Sequence, residues 1–206
     1  MRRGFSIWGP ALTASDPTDR DALRRTLRAR RAALPPAERR SAAARQLLAL
    51  ARSTLLRPGS WIALYVATGS EAPTAELLAL AQRRGCHVCL PRITDARGAR
   101  MQFVHWRGGA LQPGPFGIRA PRGGAVVPAQ RMALVLVPLL GFDARGTRLG
   151  SGAGYYDRLL AFRTGRRGPP HVVGLAFEAQ RSARLPRARH DVPLDGVLTE
   201  HGLHLF

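Results

Sequence analysis

The chain has 206 residues, of which 45% are hydrophobic and 22% are charged, and its formal net charge is +19. This length suits one domain with a sizeable core, and the composition excludes an intrinsically disordered chain. No apolar run approaches the length that a membrane-spanning helix needs, so we expect no membrane segment.

The N-terminal part of the chain predicts an extension followed by two helices. Residues 1–15 faintly resemble a secretion signal, but Gly9 and Pro10 interrupt the short apolar stretch. We therefore interpret residues 1–15 as a loose extension of a cytoplasmic protein and residues 16–206 as one domain. The segment SDPTDRDALRRTLRARRAAL (15–34) opens with capping residues and a proline suited to a first turn, which predicts a helix. Pro35-Pro36 ends that helix, and AERRSAAARQLLALARS (37–53) predicts a second one.

Strands and helices then alternate along the chain. WIALYV (61–66) is apolar and β-prone, which predicts a buried strand, and Thr74 is expected to cap a helix over residues 75–84 that Gly85 ends. HVCLP (87–91), MQFVHW (101–106) and HVVGLAF (171–177) predict further strands, with a loop at 123–130 and a helix at 155–163. ALVLVPLL (133–140) is continuously apolar, as expected for a central strand covered on both faces. The alternation predicts an α/β fold whose mostly parallel central sheet is flanked by helices in a Rossmann-like three-layer sandwich.

The two cysteines do not indicate a zinc site. Cys86 and Cys89 form CHVC, and no second Cys or Cys/His pair lies at a fitting spacing to complete the usual four ligands. A strand would direct residues three apart to opposite faces. We therefore expect a pair of reduced, partly buried cysteines.

The basic charge has two explanations. All 32 basic residues are arginine, whose planar forks bind phosphate and carboxylate, so polyanionic ligands or nucleic acid are candidate partners. However, the arginines are spread from end to end, and the aromatic residues (6%) do not alternate with them as in proteins that stack on bases. We attribute the larger share of the charge to an arginine-rich composition rather than to nucleic-acid binding.

A glycine-rich loop is the main candidate for a binding site. GTRLGSGAGYYDR (146–158) follows the most apolar strand and precedes a helix, so it lies where ligands collect in α/β sheets. Its backbone N–H groups and the helix N-terminus can hold phosphate oxygens. The loop lacks the spacing and the lysine of a Walker loop, and a strand–GxGxxG fingerprint does not fit. Taken alone, it could equally be a tight connection.

Longer segments resemble one enzyme family. VPLLGFDARGTRLGSGAGYYDRLL (137–160) resembles the signature of the 5-formyltetrahydrofolate cyclo-ligase (5,10-methenyltetrahydrofolate synthetase) family. RDALRRTLRARRAALPPAERRSAA resembles the opening basic helix of that family, IALYVATGSEAPTAELLALAQRRGCHVCLPRI its second block, and GPFGIRAP a short Gly-Ile turn. VVGLAFEAQRSARLPRARHDVPLDGVLTEHG resembles the closing block. The resemblance spans nearly all of residues 20–202 in the right order.

The resemblance implies an ATP- and Mg²⁺-dependent cyclisation. The enzyme would convert 5-formyltetrahydrofolate to 5,10-methenyltetrahydrofolate and release ADP and phosphate, through a phosphorylated N5-formyl (iminium phosphate) intermediate. Such phosphoryl transfer needs positioning, Mg²⁺ and cationic donors more than a protein nucleophile. The implied partners are 5-formyltetrahydrofolate and the co-substrate ATP, without membrane or nucleic acid, and we expect a monomer.

The resemblance also implies roles for individual residues. ATP binding is implied for Arg20, Arg24, Arg148, Leu149, Gly150, Ser151, Gly152, Ala153, Gly154, Tyr155 and Tyr156. Folate binding is implied for Arg24, Val66, Glu71, Ser151, Gly152, Ala153, Gly154 and Tyr155. Asp157 and Asp191 match magnesium ligands, and the implied catalytic residues are Arg148, Tyr155 and Asp157. His190 and Asp195 are expected to be structural partners.

Three positions depart from the family pattern. Arg20 stands where the family commonly has lysine, Ala153 where many members have a basic or glycine residue, and Ala120 where an acid usually precedes proline. These departures leave open a diverged relative that binds folate or nucleotide without turnover. The basic charge leaves open a second alternative, a nucleic-acid-binding protein. The intact Gly-Tyr-Tyr-Asp-Arg run and Asp191 argue against the diverged relative.

Overall fold

The computed structural model of the chain describes residues 17–165 and 168–206, so the predicted extension at residues 1–15 lies outside the described residues. The α-helices are α1 (Pro17–Ala32), α2 (Pro36–Arg52), α3 (Ala75–Arg83) and α4 (Tyr155–Leu159). The strands are β1 (Trp61–Ala63), β2 (His87–Asp95), β3 (Arg100–His105), β4 (Leu111–Pro113), β5 (Arg119–Pro121), β6 (Val126–Val127), β7 (Leu134–Pro138), β8 (Gly141–Phe142), β9 (Arg148–Leu149), β10 (His171–Leu175), β11 (Gly196–Thr199) and β12 (Gly202–Leu205). Among the described residues, no helix combines the length and the apolar composition that crossing a bilayer would require.

One sheet organises the molecule, with strand order β12-β11-β10-β7-β1-β2-β3-β6. Its inner strands β11, β10, β7, β1 and β2 run parallel to one another. The outer strands β12, β3 and β6 pair antiparallel with their neighbours. The predicted α/β class with a mostly parallel sheet is therefore confirmed, and the strand predicted at residues 101–106 is one of the antiparallel ones.

Apolar side chains cover both faces of the sheet. Along β7, Leu134 and Leu136 pack into one buried cluster, which includes residues of α2 and α3 such as Leu50. The intervening Val135 and Val137 pack into a second cluster on the opposite face. This alternation explains why β7 is continuously apolar, because both of its faces exclude water.

The cysteines lie on opposite faces of the sheet, as the strand pattern predicts. Cys86 belongs to the first buried cluster and Cys89 to the second, and both are free thiols. They are more deeply buried than expected, and burial raises the pKa of the Cys89 thiol to about 12. Both therefore serve the core as small apolar side chains.

Several predicted boundaries differ from those observed. β1 ends at Ala63 instead of residue 66, although the Leu64 N–H still donates to the Cys89 carbonyl, and Tyr65 and Val66 line a cavity. β7 ends at Pro138, which has no N–H group to continue the ladder. The helix predicted at 155–163 divides into α4 and a short 3-10 turn, and the loop predicted at 123–130 contains β6.

Thr74 is the N-cap residue of α3, as predicted. Thr74 directly precedes the helix, but its side chain makes no capping hydrogen bond. Its Oγ1 instead accepts a hydrogen bond from the Ala67 N–H at 3.0 Å. This bond joins the two ends of the loop between β1 and α3, which carries residues of the cavity wall.

Helix α1 lies across the carboxyl end of the parallel strands. Leu23 and Leu27 form a small buried cluster with Leu140, Leu149 and Leu185. This cluster attaches α1 to the segment after β7 and to β9. As a result, the polar side of the helix is held beside the glycine-rich loop.

Candidate active site

A cavity of about 230 Å³ opens beyond the carboxyl ends of β1 and β7. Most of the residues predicted for the site line it: Arg20, Arg24, Val66, Glu71, Arg148, Gly150, Ser151, Gly152, Gly154, Tyr155, Tyr156, Asp157 and Asp191. Leu149 and Ala153 are not among the lining residues. The Leu149 side chain is buried with Leu23 and Leu27, and Ala153 is exposed and accepts a hydrogen bond from Arg158 Nη1 at 3.0 Å.

The loop between β9 and α4 contains two glycines with left-handed backbone conformations. Gly152 has φ +113°, and a Cβ there would lie 3.4 Å from the guanidinium carbon of Arg24. Gly154 has φ +70°, and a Cβ there would lie 2.5 Å from Arg158 Nη1. The positive φ angles favour glycine at both positions, because its backbone adopts this conformation without strain.

The helix after the loop is shorter than predicted. α4 has five residues, so the aligned peptide dipoles of a long helix are not available to a bound anion. The groups left to bind phosphate here are the backbone N–H groups of the loop and the neighbouring arginines. One of these, Arg24, donates from Nε to the Gly150 carbonyl oxygen at 3.2 Å and also pairs with Asp21.

Arg148 and Asp157 form a partly buried ion pair in the wall of the cavity. Arg148 is 7% exposed, and its Nη2 donates to Asp157 Oδ1 at 2.6 Å. Arg148 Nη1 donates to the Val192 carbonyl, and the Val192 N–H donates to Asp157 Oδ1 at 3.0 Å. Arg148 therefore joins the glycine loop, α4 and the segment around residue 192, and both of its terminal nitrogens are engaged within the protein.

Asp191 forms a second pair with an arginine in the same cavity. Asp191 Oδ2 accepts hydrogen bonds from Arg20 Nη2 at 3.1 Å and from the Ala188 N–H at 2.7 Å. His190 Nε2 lies 3.8 Å from Asp191 Oδ1, but the His190 side chain is exposed and also lines the cavity. Asp195 pairs instead with Arg163 and the Val172 N–H, and it does not line the cavity.

The two aspartates fit a magnesium ion only if substrate oxygens complete the coordination. Across residues 17–165 and 168–206, no group of three or more His, Cys, Asp or Glu side chains could hold a metal by itself. Mg²⁺, however, is typically bound by one or two carboxylates together with substrate phosphates and water. Asp157 and Asp191 both line the cavity, and the hydrogen bonds described above fall on one oxygen of each carboxylate. Their chemistry therefore suits Mg²⁺ that arrives with a phosphate ligand.

Glu71 lies at another part of the wall, supported by a buried arginine. Its Oε2 accepts a hydrogen bond from the Thr68 N–H at 2.9 Å, and its Oε1 lies 3.9 Å from Arg31 Nη1. Burial raises the pKa of Glu71, while the Thr68 hydrogen bond and the charge of Arg31 oppose that rise. Arg31 is also held by Ser70 Oγ and the Leu139 carbonyl.

Sequence reasoning missed Arg31 and several residues of the wall. Arg31 follows Arg24 by seven positions on α1, so helical spacing was a usable signal for it. The missed residues that line the cavity itself are Tyr65, Thr68, Pro91, Ile93, Met101, Ile118, Pro138 and His190. Most of them are apolar and come from separate elements, so no local pattern in the sequence connects them.

Comparisons with known proteins agree on one family. A sequence model of the 5-formyltetrahydrofolate cyclo-ligase family matches residues 16–200. The 5-formyltetrahydrofolate cyclo-ligase of Mycolicibacterium smegmatis is 32% identical over 189 residues, which cover 89% of this chain and 94% of that protein. That of Escherichia coli K12 is 30% identical over 141 residues, covering 67% of this chain and 76% of the relative.

Solved structures give the same result. The NMR structure of Aquifex aeolicus 5,10-methenyltetrahydrofolate synthetase matches with a TM-score of 0.74 and 27% identity, over 90% of this chain and 92% of that one. The Mycoplasma pneumoniae 5,10-methenyltetrahydrofolate synthetase has a TM-score of 0.69 at 22% identity, over 88% of this chain and 99% of that one, and it supports the fold. The chain therefore belongs to the 5-formyltetrahydrofolate cyclo-ligase family, and it is an enzyme of that family.

Proposed function

We propose that this enzyme uses ATP and Mg²⁺ to convert 5-formyltetrahydrofolate to 5,10-methenyltetrahydrofolate, with release of ADP and phosphate. The observation that carries the proposal is one cavity with two unlike parts. One part has Arg20, Arg24 and the glycine loop, which suit a polyphosphate. The other part has Glu71 and apolar side chains, which suit a flat, partly polar ring such as a pterin.

The chemistry requires an activated formyl group. An N5-formyl group is amide-like and a poor electrophile, so N10 does not close on it and expel oxide. Transfer of the γ-phosphoryl group of ATP to the formyl oxygen forms an O–P bond, breaks the bond to ADP and leaves an iminium phosphate. N10 then bonds to the formyl carbon and loses its proton, and the C–O bond breaks as phosphate leaves.

The residues of the cavity would position these groups. Arg20 and Arg24 would bind phosphate oxygens together with N–H groups of the Gly150–Tyr156 loop. Both terminal nitrogens of Arg148 are engaged within the protein. Arg148 would therefore hold Asp157 in place and would not bind ATP by itself. Tyr155 is partly buried at the mouth of the cavity, where its ring would stack on a substrate ring. Glu71 would accept hydrogen bonds from pterin N–H groups.

Asp157 and Asp191 would hold Mg²⁺ together with the phosphates of ATP. Bound there, the ion would neutralise charge that develops on the transferring phosphoryl group. The apolar wall would exclude water, which protects an iminium phosphate from hydrolysis. All of these residues come from one chain, and we propose that the enzyme acts as a monomer.

The test is a spectrophotometric assay for methenyl-folate formation. The purified enzyme should form methenyltetrahydrofolate only when ATP and Mg²⁺ are both present, with one ADP released for each product molecule. Excess EDTA should stop the reaction, and added Mg²⁺ should restore it. If folate and ATP both bind but no product forms, the protein is instead a diverged relative that binds these ligands without turnover. Full activity in excess EDTA would instead refute the metal assignment.

A further inference from the structure

A buried tyrosine hydroxyl in the cavity wall has no assigned role. Tyr65 lies two residues beyond the end of β1, is 4% exposed and lines the cavity beside Val66. Its hydroxyl oxygen is buried and has no hydrogen-bond partner within the described part of the chain. Buried polar groups nearly always have partners, because removal from water without a replacement bond is costly. A phenylalanine would fill the same space without that cost, so the structure of the free enzyme gives the hydroxyl no role.

The surroundings of Tyr65 make it a hydrogen-bond donor. Glu71, Tyr156 and Arg31 are close enough to act on it electrostatically. Burial, followed by the charges of Glu71 and Tyr156, raises the pKa of the Tyr65 phenol well above its usual range, with Arg31 opposing. The phenol therefore keeps its proton. Glu71, in contrast, offers acceptor oxygens when it is ionised.

The two groups together supply the hydrogen-bonding complement of one edge of a pterin ring. That edge carries, in order, a 2-amino group, the N3–H group and the C4 carbonyl, which are two donors followed by an acceptor. The Glu71 carboxylate can accept from the two donors, and a neighbouring phenol can donate to the carbonyl. We propose that the Tyr65 hydroxyl donates a hydrogen bond to the C4 carbonyl oxygen of the folate and thereby makes the site specific for 4-oxo pterins. This inference rests on the proposed function.

The substitution Tyr65→Phe tests the proposal while keeping the buried ring. We expect the KM for 5-formyltetrahydrofolate to rise about 10- to 100-fold, as for loss of a buried hydrogen bond to a substrate, while the KM for ATP stays the same. The midpoint of thermal unfolding should stay the same or rise, because the substitution removes an unpartnered hydroxyl from the free enzyme. The matched control is Ser60→Ala. Ser60 directly precedes the first residue of β1, and removal of its hydroxyl should leave both KM values unchanged.

A substrate analogue gives a second readout that does not depend on turnover. A folate with a 4-amino group in place of the 4-oxo group presents a donor to Tyr65. Equilibrium binding to the wild type should therefore favour the 4-oxo compound, and Tyr65→Phe should reduce that preference at least about tenfold. Unchanged KM and unchanged preference in Tyr65→Phe would overturn the inference while leaving the proposed function intact. Failure of the wild type to bind or convert 5-formyltetrahydrofolate would overturn both.

Discussion

At the scale of single residues, two arginines of the cavity differ in what their side chains contact. Arg24 reaches the glycine loop and an aspartate on its own helix, and it is partly exposed. Arg148 is buried and ties Asp157 to the Val192 carbonyl. The first can turn towards a bound phosphate, whereas the second supports the wall itself.

This difference predicts two outcomes for the alanine variants. Arg24→Ala should lower kcat/KM by an amount that corresponds to a loss of about 2–4 kcal/mol of transition-state stabilisation. It should leave the midpoint of unfolding nearly unchanged. Arg148→Ala should lose a similar amount of activity and also about 2–4 kcal/mol of folding stability, because it leaves buried acceptors without partners. Steady-state kinetics and urea unfolding measure the two effects.

Arg24→Lys should recover only part of the activity, because a point charge lacks the planar fork. Near-native kcat and ATP KM in folded Arg24→Ala would refute its phosphate-binding role.

Asp157 allows a sharper test of the metal proposal. Asp157→Asn keeps the size of the side chain and an oxygen that can still accept from Arg148 and the Val192 N–H, so the fold should remain. It removes the negative charge, and kcat should fall roughly 10²-fold or more. The Mg²⁺ concentration for half-maximal activity should rise as well. An unchanged Mg²⁺ titration curve would show that Asp157 does not bind the ion.

At the scale of elements, one carboxylate organises the hairpin that leads into the glycine loop. Asp143 lies between β8 and β9 and is fully buried. Its oxygens accept hydrogen bonds from the N–H groups of Arg145 at 2.9 Å, Thr147 at 3.0 Å and Leu185 at 2.9 Å, and Arg145 Nη2 lies 3.0 Å away. Burial alone would raise the pKa of Asp143, but these bonds together hold it below its usual range.

The lowered pKa predicts a pH-dependent loss of stability in Asp143→Asn. A carboxyl whose pKa is lower in the folded state stabilises the protein above its unfolded pKa, and that contribution disappears as the pH falls through the folded value. The variant should therefore be about 2–4 kcal/mol less stable at neutral pH, and the difference should shrink below about pH 4. Urea unfolding of the wild type and of Asp143→Asn from pH 7 to pH 3 measures this difference in stability. A difference that stays constant with pH would contradict the assigned cause.

The predicted elements differ from those observed where tertiary contacts redirected the chain. Threonine is a residue type that often caps helices, yet the Thr74 hydroxyl oxygen accepts a hydrogen bond from the Ala67 N–H across a loop. Tyr65 and Val66 were predicted as part of a strand, yet they lie beyond the end of β1 and line the cavity. Apolar periodicity located the helices and the inner strands well, because burial on one face or both leaves a local pattern. Apolar periodicity does not indicate where the chain departs from a strand to line a cavity.

At the scale of the whole molecule, the net charge should influence the binding of anions. With 32 arginines against 13 acidic residues, the surface field attracts polyanions, and salt screens that field over a Debye length of about 10 Å at 0.1 M. We expect the KM for ATP to rise about 3- to 10-fold between 50 and 500 mM NaCl, with a nearly constant kcat. Circular dichroism at each salt concentration provides the control for folding. An ATP KM independent of salt would mean that the charge has no role in substrate capture.

The sequence by itself determined the α/β class, the family, and most residues that line the cavity. It could do so because alternating apolar segments and the run from Val137 to Leu160 are contiguous, so a local pattern carries the information. The tertiary structure decided what contiguity cannot: that Arg148 holds Asp157, that Arg31 supports Glu71, and that the Tyr65 hydroxyl is buried without a partner among the described residues. Each of these depends on distances between segments far apart in the chain, and those distances exist only once the core has packed.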